Sequence, residues 1–303
     1  MAAAGSGGQG ARDVLDRIGA EVQNIAHKAA DKYKDELKGD LSKAKFLGVS
    51  RVPPDPCNLD HEIHTNVTTG KDDPCDRRWP VRFSDESRSQ CTKNRIKDST
   101  SDTVGACAPY RRLHVCDNNL ENINDYNNIN NHTLLVDVCL AAKHGGELLK
   151  GYHDIYKQTN PGSQLCTVLA QSFADIGDII RGKDLYLGDE KEKLKLENNL
   201  KKVFSKIYHN LTDPKAKEYY NDDTDKNYYK LREDWWTANR ATIWEAITCN
   251  AWGNTYFRAT CGSGKTAIQA SHKCRCEGAN TDPPTYFDYV PQYLRWFEEW
   301  AED

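Results

Sequence analysis

The stretch that decides the fold is PPTYFDYVPQYLRWFEEW, residues 283–300. It holds seven aromatic residues and no candidate nucleophile. Pro291 suits the first turn of a helix, and Tyr293, Trp296 and Trp300 recur after it at helical spacing. Aromatic side chains bury large areas, so the stretch predicts a segment whose role is docking rather than catalysis.

Four further motifs precede this stretch. They read DIGDIIRG at residues 175–182, WWTANR at 235–240, YFRATC at 256–261 and CRC at 274–276. Together with residues 283–300 they closely resemble the Duffy-binding-like alpha domains, which head the erythrocyte membrane proteins of malaria parasites. Because all five motifs occur in the same order as in that family, the resemblance is very specific.

The resemblance covers essentially the whole chain and implies its organisation. The implied Duffy-binding-like fold is mostly α, with a loop-rich, disulfide-stapled subdomain followed by a helical bundle and a truncated third subdomain. The expected divisions are an N-terminal segment with a long helix at 1–50, the cysteine-stapled subdomain at 51–130, the helical bundle with a cysteine cluster at 131–285, and the first helix of the third subdomain at 286–303.

Hydrophobic periodicity supports the helical part of this organisation. Residues 135–152, 165–180, 196–211 and 228–247 carry apolar residues at helical spacing, which fits a helical bundle. Another stripe lies near the N-terminus, and the resemblance implies that it packs against the domain that follows. Its members are Val14, Ile18, Val22, Ile25, Ala29, Tyr33, Leu37 and Leu41. Residues 50–130, by contrast, are punctuated by prolines and keep no helical period, which indicates loops.

The chain contains eleven cysteines, too many and too scattered to be ordinary buried thiols. Zinc modules use paired short spacings and only Cys274 and Cys276 lie that close, so a disulfide framework is favoured over a metal site. Disulfides indicate an oxidising, extracellular destination. The odd count leaves at least one cysteine unpaired, and the resemblance suggests that its partner lies just beyond Asp303.

The net charge of the chain is small. Its 41 Lys and Arg residues stand against 45 Asp and Glu residues, for a net charge of −4, so no global field favours nucleic acid or an anionic membrane. No apolar run reaches the length of a membrane span. The sequence therefore predicts no nucleic-acid partner and no direct membrane insertion. The resemblance implies a place on the extracellular face of the infected red-cell membrane, as part of a larger transmembrane protein.

Two patterns could suggest chemistry. Residues 259–266, ATCGSGKT, satisfy a relaxed phosphate-binding loop. No hydrophobic strand ending in Asp accompanies them, so a solvated Gly-rich loop is favoured over nucleotide hydrolysis. His61 and His64 are the only close pair of histidines, and their Pro-rich surroundings indicate a loop rather than a metal site. The sequence therefore predicts no enzyme, no metal and no cofactor.

A basic segment is the strongest candidate binding site. Residues 77–97 contain seven basic residues against Asp85 and Glu86, and we expect Cys75 and Cys91 to pin the segment. Arginine forks match sulfate and carboxylate oxygens, so the segment predicts binding of a sulfated glycan, with a solvated, partly neutralised face as the alternative. The predicted glycan-binding residues are Arg77, Arg78, Arg82, Arg88, Lys93, Arg95, Lys97, Arg111 and Arg112. Six lysines at 191–206 are mixed with acids, which favours ordinary helix surface over a second polyanion site. The alternative is that these lysines and the basic segment belong to one footprint.

The resemblance implies adhesion of infected red cells to host cells, with sequence variation that evades antibodies. Together with the basic segment it predicts a receptor-binding and glycan-binding adhesin head. The predicted ligands are heparan-sulfate-like chains or blood-group sugars of the red cell, and such binding would produce rosettes of uninfected cells. The alternative is a structural role, in which the domain supports an adjacent cysteine-rich interdomain region that carries the site for a protein receptor.

Overall fold

The computed structural model describes residues 10–69, 73–75, 91, 95–97, 106–188, 190–221, 226–262, 266–277 and 282–302. The α-helices are α1 Ala11–Ala30, α2 Lys34–Leu37, α3 Tyr110–Leu113, α4 Asn118–Asn122, α5 Asn131–Tyr156, α6 Leu165–Arg181, α7 Glu190–Asn210, α8 Pro214–Tyr219, α9 Tyr229–Ile247 and α10 Gln292–Glu302. Short 3-10 helices lie at Asp31–Tyr33, Leu41–Lys43, Pro56–Asn58 and Phe287–Tyr289. Strands β1 Ala259–Cys261 and β2 Ile268–Gln269 pair antiparallel.

The predicted helical bundle is confirmed by α5, α6, α7 and α9, which correspond to the four periodic segments. Helix α9 packs against both α5 and α6, and two glycines permit this close approach. A Cβ atom at Gly146 would lie 2.0 Å from the carbonyl oxygen of Ile247, and one at Gly177 would lie 2.8 Å from the ring of Trp236. Any larger residue at either position would therefore push α9 outward.

Local sequence signals set the start of α5 and the end of α6. The Asn130 side chain accepts a hydrogen bond from the backbone N–H of Thr133, and the Thr133 hydroxyl accepts one from the backbone N–H of Asn130. This capping box starts α5. Helix α6 ends where Gly182 adopts a φ of 72°, a left-handed conformation that glycine adopts without a steric penalty. Gly182 is the last residue of DIGDIIRG, so the motif carries its own helix stop.

One hydrophobic core connects the N-terminal segment to the bundle within the described residues. Leu37 and Phe46 belong to the same buried cluster as Trp235, Trp236 and Phe287. A smaller cluster surrounds Trp296. Since the main core crosses residues 50, 130 and 285, separate cores do not mark these divisions, and the predicted subdomain boundaries stay predictions.

The N-terminal stripe is buried only in its second half, which corrects the expectation that all of it packs against the domain. Tyr33 and Leu37 are buried, but Val14, Ile18 and Val22 are between 41% and 48% exposed. The buried face of α1 instead contains Asp16 and Gly19. Because the backbone approaches so closely that a Cβ at Gly19 would lie 2.3 Å from the Tyr286 carbonyl oxygen, small and polar residues occupy the contact and the apolar ones face outward.

The disulfide framework is confirmed for ten of the eleven cysteines. The pairs are Cys57–Cys249, Cys75–Cys116, Cys91–Cys107, Cys166–Cys274 and Cys261–Cys276. Cys75, just before the basic segment, and Cys91, within it, are both bonded, which agrees with the expectation that they pin the segment. The bond between Cys57 and Cys249 joins positions that are 192 residues apart and so ties the loop region to the end of α9.

The odd cysteine is Cys139 in α5. It is 0% exposed, its sulfur lies 3.8 Å from the carbonyl oxygen of Thr242 in α9, and burial raises the pKa of its thiol well above the usual range. A partner from beyond Asp303 would have to enter the core between α5 and α9 to reach it. A small buried thiol packs well in an apolar core, so the burial of Cys139 argues against such a partner, and the expectation stays a prediction.

A buried carboxyl group fastens the loop region to α5. The Asp137 carboxylate accepts hydrogen bonds from Thr65 Oγ1 at 2.7 Å and from Asn66 Nδ2 at 2.5 Å. Burial nevertheless raises the pKa of Asp137 to about 6, because the charged form loses its water. The pKa of an Asp side chain in an unfolded chain is about 3.9. The folded state therefore binds this proton more tightly than the unfolded state does. The contribution of the proton to the free energy of unfolding is present at low pH and is lost as the pH rises through about 6.

We expect Asp137→Asn to remove this pH dependence. Between about pH 7 and about pH 5, the free energy of unfolding of the unaltered chain should rise by about 1 kcal/mol relative to that of the variant. Urea unfolding at the two pH values measures this difference, with Asp154→Asn at an exposed position of α5 as the control. If the free energies of unfolding of the unaltered chain and of Asp137→Asn differed by the same amount at both pH values, the raised pKa of Asp137 would be contradicted.

Candidate binding surface and its buried arginine network

The motifs that dominate the sequence meet inside the protein. Arg240, the last residue of WWTANR, contacts Asp288 of the aromatic stretch, with Nη2–Oδ1 at 2.8 Å and Nε–Oδ2 at 2.9 Å. Trp236 Nε1 donates to the same carboxylate at 2.8 Å. Arg240 and Asp288 are each 1% exposed. This bidentate pair, which is short and directional, clamps α9 onto the 3-10 helix at Phe287–Tyr289.

A second buried network joins α6 to α10. Arg295 Nη2 lies 2.7 Å from carboxylate oxygens of both Asp175 and Asp178, and Arg181 Nη2 lies 3.0 Å from Asp178. Burial raises the pKa of Asp175, but Arg111 and Arg295 outweigh burial and hold that pKa at about 2. Asp175, Asp178 and Arg181 are the charged residues of DIGDIIRG, so this motif organises packing rather than chemistry.

The aromatic stretch docks as predicted, and the surface it docks against is the rest of this chain. Phe287, Tyr289 and Trp296 are buried, whereas Tyr293 and Phe297 are 51% and 75% exposed. One face of α10 therefore seals the core and the opposite face presents aromatic side chains to solvent.

Arg111 and Arg112 are buried, which corrects their place in the predicted glycan-binding set. Arg111 Nη1 lies 2.7 Å from Asp175 Oδ2, and Arg112 Nη2 lies 2.6 Å from Asp184 Oδ2. The two arginines are 8% and 3% exposed. The single turn of α3 places both guanidinium groups against carboxylates, and these ion pairs offset their desolvation. Their forks are occupied, so they are removed from the set.

Arg95 and Lys97 of the basic segment are exposed. Between them Ile96 is buried and forms a bridge with Tyr186. The segment is held on both sides of this bridge, because Lys97 N donates to the Leu185 carbonyl at 2.8 Å and Arg95 Nη1 donates to the Gly188 carbonyl at 2.7 Å. The remaining predicted residues lie outside the described part of the chain and stay predictions: Arg77, Arg78, Arg82, Arg88 and Lys93.

Lys97 also lines a cavity of about 300 Å³ to which Lys201 of α7 contributes. Four acids line its wall: Asp117, Glu121, Asp184 and Glu197. Two of them are paired with arginines, Asp184 with Arg112 and Glu197 with Arg232. The basic segment and the lysine-bearing helix lie far apart in sequence, and the fold brings Lys97 and Lys201 to one cavity. Elsewhere on α7, Lys195, Lys202 and Lys206 are exposed.

The Gly-rich loop lacks the structural context of a phosphate-binding loop in the described residues around it. Strand β1 leads into the loop and β2 follows it, with Cys261 opposite Ile268 in an antiparallel pair. A phosphate-binding loop would connect a parallel strand to a helix whose N-terminus faces the phosphates. The disulfide between Cys261 and Cys276 lies beside this hairpin. The hairpin supports the interpretation of a structural loop.

The other sequence feature weighed for chemistry was the histidine pair. His64 is buried, and its Nδ1 accepts a hydrogen bond from the backbone N–H of Asp60 at 3.0 Å. It is therefore occupied in a turn and does not share a site with His61. Within the described residues, no helix is both long and apolar enough to cross a membrane.

Known proteins resemble this chain in sequence and in structure. Residues 105–295 match the Duffy binding domain family, and residues 10–45 match the N-terminal segments of PfEMP1. A solved double domain of PfEMP1 from the Plasmodium falciparum varO strain, NTS-DBL1-alpha with CIDR-gamma, is 41% identical with a TM-score of 0.81. The match covers 97% of this chain and 43% of that chain.

Two more distant relatives carry information on binding. A DBLβ domain of PfEMP1 solved with human ICAM-1 is 28% identical with a TM-score of 0.69, over 99% of this chain and 63% of that one. The beta form of the Duffy receptor of Plasmodium knowlesi is 26% identical over 208 residues, which is 65% of this chain and 14% of the receptor. The chain therefore spans a small part of that receptor and less than half of the varO double domain.

Proposed function

We propose that this chain, which belongs to the Duffy binding domain family and carries an N-terminal segment of the PfEMP1 type, is a host-receptor-binding adhesin domain. Its proposed place is the extracellular face of the infected red-cell membrane, within a larger transmembrane protein and exposed to antibodies. Its proposed ligands are sulfated glycans of the heparan-sulfate kind, with blood-group sugars as a second class. Binding of this kind would gather uninfected cells into rosettes.

The observation that carries the proposal is the position of Arg95 and Lys97. Both side chains are exposed on a backbone that the Cys91–Cys107 disulfide and the Ile96–Tyr186 bridge hold in place. Because this backbone is already fixed, the protein loses less conformational entropy when it binds a ligand. Sulfate groups match basic side chains presented in this way.

Lys201 extends this surface across the cavity that it shares with Lys97. We call the resulting surface the basic footprint. Its described members are Arg95, Lys97 and Lys201, and we propose that it also includes Arg77, Arg78, Arg82, Arg88 and Lys93. A cavity of about 300 Å³ lies at the lower end of the range for small-molecule sites, so it suits one sugar unit of a longer chain whose other charges lie along the surface.

We expect replacement of Arg77, Arg78, Arg82 and Arg88 by Ser to weaken heparin binding more than about tenfold. Four solvated contacts at about 0.5–1 kcal/mol each total about 2–4 kcal/mol, and about 1.4 kcal/mol corresponds to tenfold. Binding of the unaltered chain should also fall steeply with added salt, because a polyanion releases counterions when it meets a basic surface. Immobilised heparin with salt elution measures both effects.

The control for this experiment removes the same charge from a different part of the surface. It replaces four exposed lysines by Ser: Lys28, Lys38, Lys157 and Lys215. This control should elute near the salt concentration of the unaltered chain, because the lysines lie away from the basic footprint in sequence and on other elements. Equal elution of the fourfold arginine variant and the unaltered chain would move the glycan site away from residues 77–97.

A second candidate function is support of an adjacent cysteine-rich interdomain region. The observation that favours it is an exposed apolar surface formed by Val14, Ile18 and Val22 of α1 with Tyr293 and Phe297 of α10. Val22 and Tyr293 line one shallow cavity of about 290 Å³, which joins the two helices into one surface. Such patches mark interaction sites. The varO relative carries a CIDR-gamma domain after its NTS-DBL1-alpha part.

The two candidates are separated by measuring binding of this domain alone and together with its neighbouring region. Heparin binding by the isolated domain, lost in the fourfold arginine variant, supports a glycan-binding head. Binding that requires the neighbouring region and is unchanged in that variant supports the structural role. A protein receptor, as for the DBLβ relative solved with ICAM-1, would be indicated by host-cell binding that heparin does not compete.

A further inference from the structure

Three side chains with metal-ligand chemistry converge on the side of the molecule where the loop region meets α5. They are His61, Asp73 and His144, and one potential ligand atom from each lies within 4.8 Å of the other two. His144 Nδ1 lies 2.9 Å from Asp73 Oδ2. The rings of His61 and His144 have centroids 5.1 Å apart and are nearly perpendicular, at 89°. We propose that these three residues bind one divalent metal ion of the zinc type, with water as the fourth ligand.

The donor set fits zinc by its chemistry. Zinc ions in proteins take imidazole nitrogens and carboxylate oxygens in tetrahedral sites, and three protein ligands leave one position for water. Two imidazoles make the set too nitrogen-rich for magnesium or calcium, which prefer oxygen ligands. The side chains of His144 and Asp73 are 14% and 37% exposed, so an ion can enter while the site still excludes part of the surrounding solvent.

The surroundings of each ligand hold it in position. Asp73 Oδ1 accepts a hydrogen bond from the backbone N–H of Cys75 at 2.8 Å, which leaves Oδ2 directed at His144. Cys75 is itself bonded to Cys116. Such outer contacts orient the ligands of metal sites and strengthen binding. The carboxylate of Asp73 is therefore preset by a disulfide-anchored turn.

His61 is positioned by the turn that follows the Cys57–Cys249 disulfide. In this turn His64 N donates to the Asp60 carbonyl at 2.8 Å, and Lys143 Nζ, from the residue before His144, donates to the Leu59 carbonyl at 2.7 Å. Among the described residues, no hydrogen bond to the His61 ring is present. A simple His–Asp ion pair would need only His144 and Asp73, so the second imidazole is the feature that points to a metal.

A metal ion here would join three segments that are distant in sequence. It would connect the turn at His61, the disulfide-anchored turn at Asp73 and the middle of α5. The effect on stability follows from mass action, since a ligand that binds only the folded state raises the midpoint of thermal unfolding as its concentration rises. Acid should also weaken zinc binding, because protons compete with the ion for the ligand atoms.

The test is calorimetric titration of the disulfide-intact, tag-free chain with zinc chloride at about pH 7.4, with magnesium chloride as the comparison ion. We expect saturable binding of one zinc ion per chain and no magnesium binding. His61→Ala and His144→Ala should each weaken zinc binding at least about tenfold. Asp73→Asn should do the same while keeping the acceptor for the Cys75 N–H, so it decides the question if an alanine variant fails to fold.

The matched control is His209→Ala, which removes an exposed histidine of α7 and should leave zinc affinity unchanged. Near-ultraviolet circular dichroism verifies the fold of each variant. Absence of saturable zinc binding by the unaltered chain overturns the proposal. Unchanged affinity in any folded variant of His61, Asp73 or His144 overturns the proposed ligand set.

Discussion

Replacement of Arg240 by Ala is expected to lower the free energy of unfolding by about 3–5 kcal/mol. The guanidinium group makes two hydrogen bonds to the Asp288 carboxylate, at 2.8 and 2.9 Å, and a third to the Thr285 carbonyl at 2.8 Å. Both members of the pair are 1% exposed. Removal of Arg240 leaves a buried carboxylate with Trp236 Nε1 as its remaining side-chain donor, and an uncompensated buried charge is strongly destabilising.

Urea unfolding of Arg240→Ala measures this loss, with Lys150→Ala as the matched control. Lys150 pairs with Asp154 at the same kind of distance, 2.7 Å, but the two side chains are 39% and 59% exposed, so its loss should cost about 0–1 kcal/mol. The double variant Arg240→Met with Asp288→Asn should lose less than Arg240→Ala, because it leaves no unpaired charge. Equal losses for Arg240→Ala and Lys150→Ala would show that the pair does not hold α9 in place.

Removal of the Cys57–Cys249 disulfide is expected to cost about 4–5 kcal/mol when both cysteines are replaced by Ala. This bond closes a segment of 192 residues. A crosslink restricts the unfolded chain more strongly when the loop it closes is longer, although native-state effects modify the value. The bond also holds the turn of His61 against the end of α9, so its loss frees the loop region at its attachment to the bundle.

The comparison for this prediction is the paired replacement of Cys91 and Cys107, which are 16 residues apart. The shorter loop predicts a loss of about 3 kcal/mol. Urea unfolding of the two double variants under oxidising conditions gives both values. A larger loss for the Cys91–Cys107 variant than for the Cys57–Cys249 variant would contradict loop closure as the dominant contribution.

The helical part of the fold could be predicted well because its signals are local. Apolar spacing along residues 135–247 reproduces α5, α6, α7 and α9, since a helix buries whichever side its own periodicity makes apolar. The same reasoning fails for α1. Val14, Ile18 and Val22 form a regular stripe, yet this stripe faces solvent because the close contact at Gly19 and Asp16 decides which side of α1 packs.

The sequence indicated a basic candidate site, but it did not show which of the basic residues are exposed. A count of arginines and lysines located the basic segment, but burial separates its candidates. Arg95 and Lys97 face solvent, whereas Arg111 and Arg112 pair with Asp175 and Asp184, which lie far along the chain. Spacing carries no signal of such partners, because an exposed arginine and a buried, ion-paired arginine look alike in sequence.

By itself, the sequence determined the family, the helical bundle and the disulfide-rich character of this protein. Motif order, apolar period and cysteine count can be read without knowing which residues touch. Only the tertiary structure decided that Cys139 is the buried odd thiol, that Lys97 and Lys201 share one cavity, and that His61 meets His144 rather than His64. These outcomes depend on contacts between distant segments, and such contacts are set by the packing of the whole chain rather than by any local pattern.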